Sequence, residues 1–214
     1  MKKMLIALVA SLMLPVLAVS AAKFEEGKHY KVVPGEGTKK PEVREYFSYY
    51  CPACRGFEAY LPEIERSLPT GTPLKKTHVD FMGAASPDIQ MMLTKGYVVA
   101  KQAGIDAQFS AEAFSYLQTK RKVVTSLDDV KKIFVAAGGD AAYFDKGVKS
   151  FGLKRVVKSE KKVQDKLSNG RYIGGVPSFV VNGKYVINSK ALDKNNFLEE
   201  YKALIAYLLT LETK

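Results

Sequence analysis

The sequence predicts an α/β protein in which a strand-helix-strand unit near the N-terminus and a strand hairpin near the C-terminus flank a long stretch of helices. Three observations carry this. "VREYFSYY", Val43 to Tyr50, is rich in aromatic and β-forming residues and runs straight into apolar positions at helical spacing. Strand signals then vanish from about Ala84 to Leu167. They return in "GGVPSFVVNGKYVIN", where Asn182-Gly183 between two apolar runs is a strong hairpin signal.

The chain opens with a basic "MKK", an apolar run from Met4 to Val19 and the small residues of "AVSAAK". That pattern predicts a secretory signal peptide over residues 1–21, cleaved after Ala21. The apolar run is shorter than the ~20 residues that span a bilayer, which argues against a retained anchor. About 190 residues would remain, enough for one domain or a domain carrying an insertion. Formal charge is +11, and loss of Lys2 and Lys3 with the leader leaves +9, a balance that attracts acidic partners.

The first strand delivers Cys51 to the start of a helix. Pro52 suits its first turn, and Phe57, Tyr60, Leu61, Ile64 and Leu68 continue at helical spacing, with a kink expected at Pro62. "GTP" turns the chain into a second strand, Leu74 to Met82, whose strand-helix-strand connection favours parallel pairing. Ser86-Pro87-Asp88 starts a helix that Gly104 stops, and another is expected from Ser110 to Arg121. Ser126 opens a third, with Asp129 as capping-box partner. Asp140, Tyr143, Phe144, Val148 and Phe151 define a short fourth.

"LKRVVKSEKKVQDKL" places Leu153, Val156, Val157, Val163 and Leu167 on one face and most of its lysines on the other, which reads as a solvated surface. No nucleic-acid motif is present, and export removes that partner. The Met, Tyr and Phe stripes have the period of a helical core and need no cofactor. A final amphipathic helix buries Phe197, Leu198, Tyr201, Leu204, Ile205, Leu208 and Leu209.

The chain has only two cysteines, Cys51 and Cys54. In an oxidising compartment structural disulfides join distant segments, whereas this pair would close almost no loop. A thiolate, not a thiol, attacks a disulfide, and a helix N-terminus stabilises one. Cys51 is therefore expected to be an exposed nucleophile and Cys54 a buried resolving thiol. A structural zinc site wants four ligands, and His29 and His78 are the only other soft donors, so no metal is expected. Haem attachment would need His where Arg55 stands.

Alternation along the first strand puts Glu45 on the side of Val43 and Phe47, beneath the cysteines, with Lys76 of the second strand as its natural partner. An edge-strand Glu and a surface Lys satisfy the same spacing. Val176-Pro177 precedes a strand, where either a cis peptide presenting the backbone to an incoming chain or an ordinary trans edge proline fits. His78 fits both the surface near the cysteines and a strand interior.

The start "AKFEEGKHY", the run "EYFSYYCPACRGFE", the strand "KTHVDFMG" and the segment "GGVPSFVVNGKYVIN", in this order, resemble the DsbA-type periplasmic thiol:disulfide oxidoreductases of Gram-negative bacteria. The resemblance implies a thioredoxin fold with an inserted all-helical domain. Residues 22–82 and 165–214 would form the thioredoxin-like domain, and 83–164 the insertion. It implies Cys51 as nucleophile, Cys54 as resolving partner, Pro177 as a cis proline facing them, and Glu45 with Lys76 as a buried charge pair. Pro52 and Ala53 would complete the motif. A groove would receive exported chains that are unfolded or folding and carry cysteines, pairing with them through the backbone of Val176. A membrane quinone-linked partner would reoxidise a monomeric enzyme with no cofactor beyond the disulfide, in the periplasm.

One departure stands out: the best-known members carry His where this chain has Ala53. Loss of an imidazole that stabilises the thiolate implies a weaker oxidant. A reductase or isomerase kept reduced is the alternative, although only about twenty mature residues precede the first convincing strand, too few for a dimerisation domain. A non-catalytic peptide-binding chaperone is the third reading, and it would be indifferent to loss of Cys51.

Overall fold

The computed structural model describes residues 24–213, so the expected signal peptide lies outside the described residues. A five-stranded sheet runs in the order β1-β5-β4-β2-β3, formed by β1 (Tyr30–Val32), β2 (Val43–Phe47), β3 (Leu74–His78), β4 (Ser178–Val181) and β5 (Tyr185–Ile187). The pair β2 and β3 is parallel, in register from Val43↔Leu74 to Phe47↔His78, while β4 runs antiparallel to β2. Flanked on both sides, β2 has four of its five residues buried, the carboxylate of Glu45 among them. Asn182 and Gly183 both adopt positive φ in the β4–β5 turn, the conformation that makes Asn-Gly a hairpin signal.

Among the described residues there are eight α-helices: α1 (Pro52–Phe57), α2 (Leu61–Ser67), α3 (Pro87–Gln102), α4 (Asp106–Phe114), α5 (Leu127–Ala136), α6 (Ala141–Lys149), α7 (Phe151–Asn169) and α8 (Phe197–Thr210). One sheet face packs Val43, Phe179 and Val181 against Phe57, Ile64 and Leu204 of α1, α2 and α8. The other packs Tyr46, Val180 and Val186 against Leu167 of α7. A third core, with Leu93, Phe109, Val130, Phe134 and Leu153, lies among α3 to α7 and extends to Phe47, Tyr49, Cys51 and Cys54. The cysteines thus sit where the helical layer meets the sheet.

Several elements differ from the sequence expectation. The first strand ends at Phe47, and the Cys51 N–H donates to Ser48 O at 3.0 Å, so a turn lies between strand and helix. The helix after the cysteines is broken upstream of Pro62, at Glu58 to Tyr60, because Pro62 has no N–H and fits only the first turn of a new helix. The second strand stops at His78 rather than Met82. Helix α4 begins at Asp106, ahead of Ser110, and passes into a π-turn, Ser115–Thr119. Asp129 accepts from Thr125 N at 3.1 Å, one residue before the Ser126 N–H that a capping box would engage.

Helix α6 stops at Ser150, which caps α7, so Phe151 opens the next helix and is 75% exposed. On α7, Val156 and Val163 are 38% and 46% exposed. Gln164 takes the buried place instead, with Nε2 donating to Asp80 Oδ1 at 2.5 Å and Oε1 accepting from Asp80 N at 3.2 Å. A paired polar side chain does there what a valine was expected to do. Helix α7 runs unbroken through positions 164 and 165, where the domain limit was placed. Strand β1, three residues with a lysine in the middle, carried no sequence signal.

Candidate active site

Pro52 begins α1 where a missing N–H has no partner to lose, and Cys51 becomes the helix cap: its Sγ accepts the Cys54 N–H at 3.2 Å. The Cys51 carbonyl accepts the first helical bond, from Arg55 N at 3.2 Å. Both cysteines are free thiols. The Cys51 S–H donates to the carbonyl of Val176 at 3.2 Å, and the Val176–Pro177 peptide is cis. A strand start from the far end of the chain therefore faces the motif.

Cys51 was expected to be exposed, but in this dithiol form it is only 5% accessible, because its sulfur is turned under the Val176 carbonyl. Cys54 is wholly buried. That burial, then the adjacent Cys51 side chain, pushes the Cys54 thiol far above its usual range, with the Glu45 charge adding to the effect, so Cys54 stays protonated.

Glu45 and Lys76 are register partners across β2 and β3. Glu45 is wholly buried, and Lys76 Nζ lies 3.3 Å from its Oε2 and 4.5 Å from the centroid of the Phe47 ring. Lys76 is also paired with Glu58, a residue that no local spacing in the sequence singled out. Burial pushes the Glu45 carboxyl up to about 7, Lys76 pulling it down and the Glu58 charge pushing it further up. Glu58 and Lys76 line a crevice of about 360 Å³ bordered by Tyr97 and Asp106, so the triad touches a space able to hold water.

Two further residues enter only through the fold. Gln118, on the π-turn, donates through Nε2 to Tyr49 O at 2.8 Å and Cys51 O at 3.1 Å, tying the helical layer to the turn that carries Cys51. His78 is buried, not at the surface. Its Nδ1 is hydrogen-bonded to Thr94 Oγ1 at 3.0 Å, and that hydroxyl also lies 3.2 Å from Gln90 O. Its ring stacks on Tyr49 at 4.9 Å, and burial pushes it down to about 3, leaving it neutral near pH 7. Among the described residues no three His, Cys, Asp or Glu side chains gather as a metal site.

Beside the motif lies a groove of about 690 Å³ whose wall includes Ala53, Phe57, Val176, Pro177, Ile187 and Phe197. A capping thiol over a buried second thiol, a cis proline opposite, and a mixed sheet interrupted by helices define a thiol:disulfide oxidoreductase of the thioredoxin class. The family model described as "Thioredoxin" matches residues 28–206. More particularly, the chain is 34% identical to the thiol:disulfide interchange protein DsbA of Pectobacterium carotovorum subsp. carotovorum, over 98% of this chain and 99% of that one. It is 35% identical, with the same coverage, to DsbA of Dickeya dadantii. DsbA of Proteus mirabilis, solved with a non-covalently bound peptide PWATCDS, superposes with a TM-score of 0.78 at 27% identity, covering 89% of this chain and 100% of that one. DsbA of Klebsiella pneumoniae gives 0.76 at 29% identity, with the same shares. The chain belongs to the DsbA-type disulfide oxidoreductases of the thioredoxin family.

Proposed function

We propose that this protein works in the periplasm and donates a Cys51–Cys54 disulfide to exported proteins as they fold. The observation that carries the reading is the asymmetry of the pair: Cys51 caps a helix and touches the Val176 carbonyl at 3.2 Å, while Cys54 is buried with its proton held tightly. A client thiolate attacks the Cys51 sulfur of the oxidised pair, and Cys54 leaves and takes up a proton. A second client thiolate attacks the client sulfur of the mixed disulfide and releases Cys51. The client loses two electrons and the pair gains them, ending as two thiols.

The roles assigned to single residues belong to this proposal: Cys51 is the nucleophile, Cys54 the resolving thiol, and Pro177 holds the Val176 backbone toward the client. Pro52 and Ala53 shape the helix start. Glu45, whose proton affinity lies near neutrality, exchanges its proton through Lys76 and Glu58 with the adjoining crevice as the charge on the thiols changes. The client lies in the groove beside the motif, and the peptide bound to the Proteus mirabilis relative supports the binding of peptides by this fold. Residues 22–82 and 165–214 form the thioredoxin-like unit and 83–164 the insertion, sharing α7. A membrane quinone-linked partner reoxidises the monomer, and no cofactor beyond the disulfide takes part.

Ala53 favours one second reading, a reductase or isomerase kept reduced. The equilibrium reduction potential against glutathione separates the two. A value above that of glutathione, toward the roughly −120 mV of DsbA itself, supports the donor, and one near the −270 mV or so of thioredoxin overturns the direction of electron flow.

A further inference from the structure

We propose that the groove selects clients bearing a carboxylate within about five residues of the reactive cysteine, with Lys31 and Lys190 as the specificity-determining residues. The inference rests on the donor reading above and names its substrate class.

Besides its apolar wall, the groove is lined by two cations, Lys31 of β1 and Lys190 of the turn after β5, and by no carboxylate. Among the described residues Lys161 is paired with Asp80 and Asp165, Lys131 with Asp145 and Lys202 with Glu199, whereas Lys31 and Lys190, like several lysines outside the groove, form no ion pair. The carboxylates nearest in sequence to the groove's Phe197 are engaged, Glu199 by Lys202 at 2.5 Å and Glu200 by the Asp193 N–H at 2.5 Å. None of the α7 lysines, the densest basic run in the sequence, lines the groove. Two uncompensated cations in a cleft with apolar walls concentrate a positive field on whatever lies there.

The sheet sets the spacing. Val176 and Pro177 lead into β4, and the order β1-β5-β4 places β1 two strands away. Neighbouring strands are ~4.8 Å apart, so Lys31 stands roughly 10 Å across from β4, and the register through Val186 sets it level with Val180, about 13 Å along the strand from Val176, or roughly 16 Å in all. An extended client advances ~3.3 Å per residue, so one anchored at Val176 reaches Lys31 about five residues from its cysteine, and on one flank only. Lys190 lies three residues beyond β5, in the helical turn Ser189–Ala191.

The test uses single-cysteine peptides in excess over the oxidised protein. Two peptide thiols become one peptide disulfide as the protein disulfide becomes two thiols. Glu, Gln or Lys is scanned through about six positions on each side of the cysteine. Each rate is divided by that peptide's rate with glutathione disulfide, which removes differences in intrinsic thiol reactivity. The expected result at low salt is an acid-over-Gln ratio of about threefold, peaking within about five residues on one flank and falling toward one at high salt. The ratio should fall to one in a Lys31→Gln, Lys190→Gln double variant and persist in Lys158→Gln on α7. Equal normalised rates at every position, or a preference that survives the double variant, overturn the proposal while leaving the donor reading intact. No reaction with any peptide overturns both.

Discussion

Replacing Glu45 by Gln should stabilise the reduced protein at neutral and alkaline pH and leave it almost unchanged in acid. The carboxyl is wholly buried, its ordinary value is 4.5, and the fold raises it to about 7. Between those two points the folded protein holds a proton that the unfolded chain has lost, so stability declines as pH rises, by ~1.36 kcal/mol per pH unit or about 3 kcal/mol in all. Below 4.5 both states are protonated and nothing is lost. Gln copies the shape of the protonated carboxyl and never ionises, and Lys76 keeps Glu58 as its partner. Urea unfolding of the two reduced proteins from pH 4 to pH 8 should therefore give a difference near zero at the acid end that grows to about 3 kcal/mol in favour of Glu45→Gln. A difference that is flat with pH would refute the desolvation argument. A variant less stable at pH 8 would show that the Lys76 ion pair outweighs it.

Gln118→Ala should destabilise the protein by about 1–3 kcal/mol, because the carbonyls of Tyr49 and Cys51 lose a shared donor, and Gln118→Glu should cost more by setting a carboxylate against two carbonyl oxygens. Equilibrium unfolding checks both. Ala53→His adds an imidazole at the N-terminal turn of α1 beside Cys51, which should favour the reduced form and raise the reduction potential, by about 30 mV for each tenfold change in the equilibrium; a fall would reverse the reasoning from Ala53. Gly96→Ala on α3 would bring a Cβ to 2.4 Å from Val130 Cγ1 and 2.8 Å from Phe109 Cζ. Overpacking should exceed the gain in helix propensity and lower stability by about 1–2 kcal/mol, visible as a lower thermal midpoint.

The sequence by itself determined what depends on neighbours along the chain. Two cysteines set at the mouth of a helix, the parallel strand-helix-strand unit, the Asn182-Gly183 hairpin and the helix starts at Ser86 and Ser126 all rest on periodicity and turn chemistry, which act within a few residues. The pairing of Glu45 with Lys76 was within reach because alternation and parallel register together fix which side chains share a face.

Only the tertiary structure decided the rest. The spacing around Val176-Pro177 fits a cis or a trans peptide, and the fold, in which Cys51 meets the Val176 carbonyl from 125 residues away, has it cis. Glu58 joins the buried pair because the break before Pro62 sets the end of α1 over β3, and Gln118 reaches the Cys51 turn across 67 residues. The proton affinity of Glu45 is likewise tertiary: desolvation depends on everything packed around a group and leaves no mark on the residues beside it in sequence. Strand β1 exists because β5 offers it an edge, and with it comes Lys31, a surface lysine in sequence and a groove residue in space.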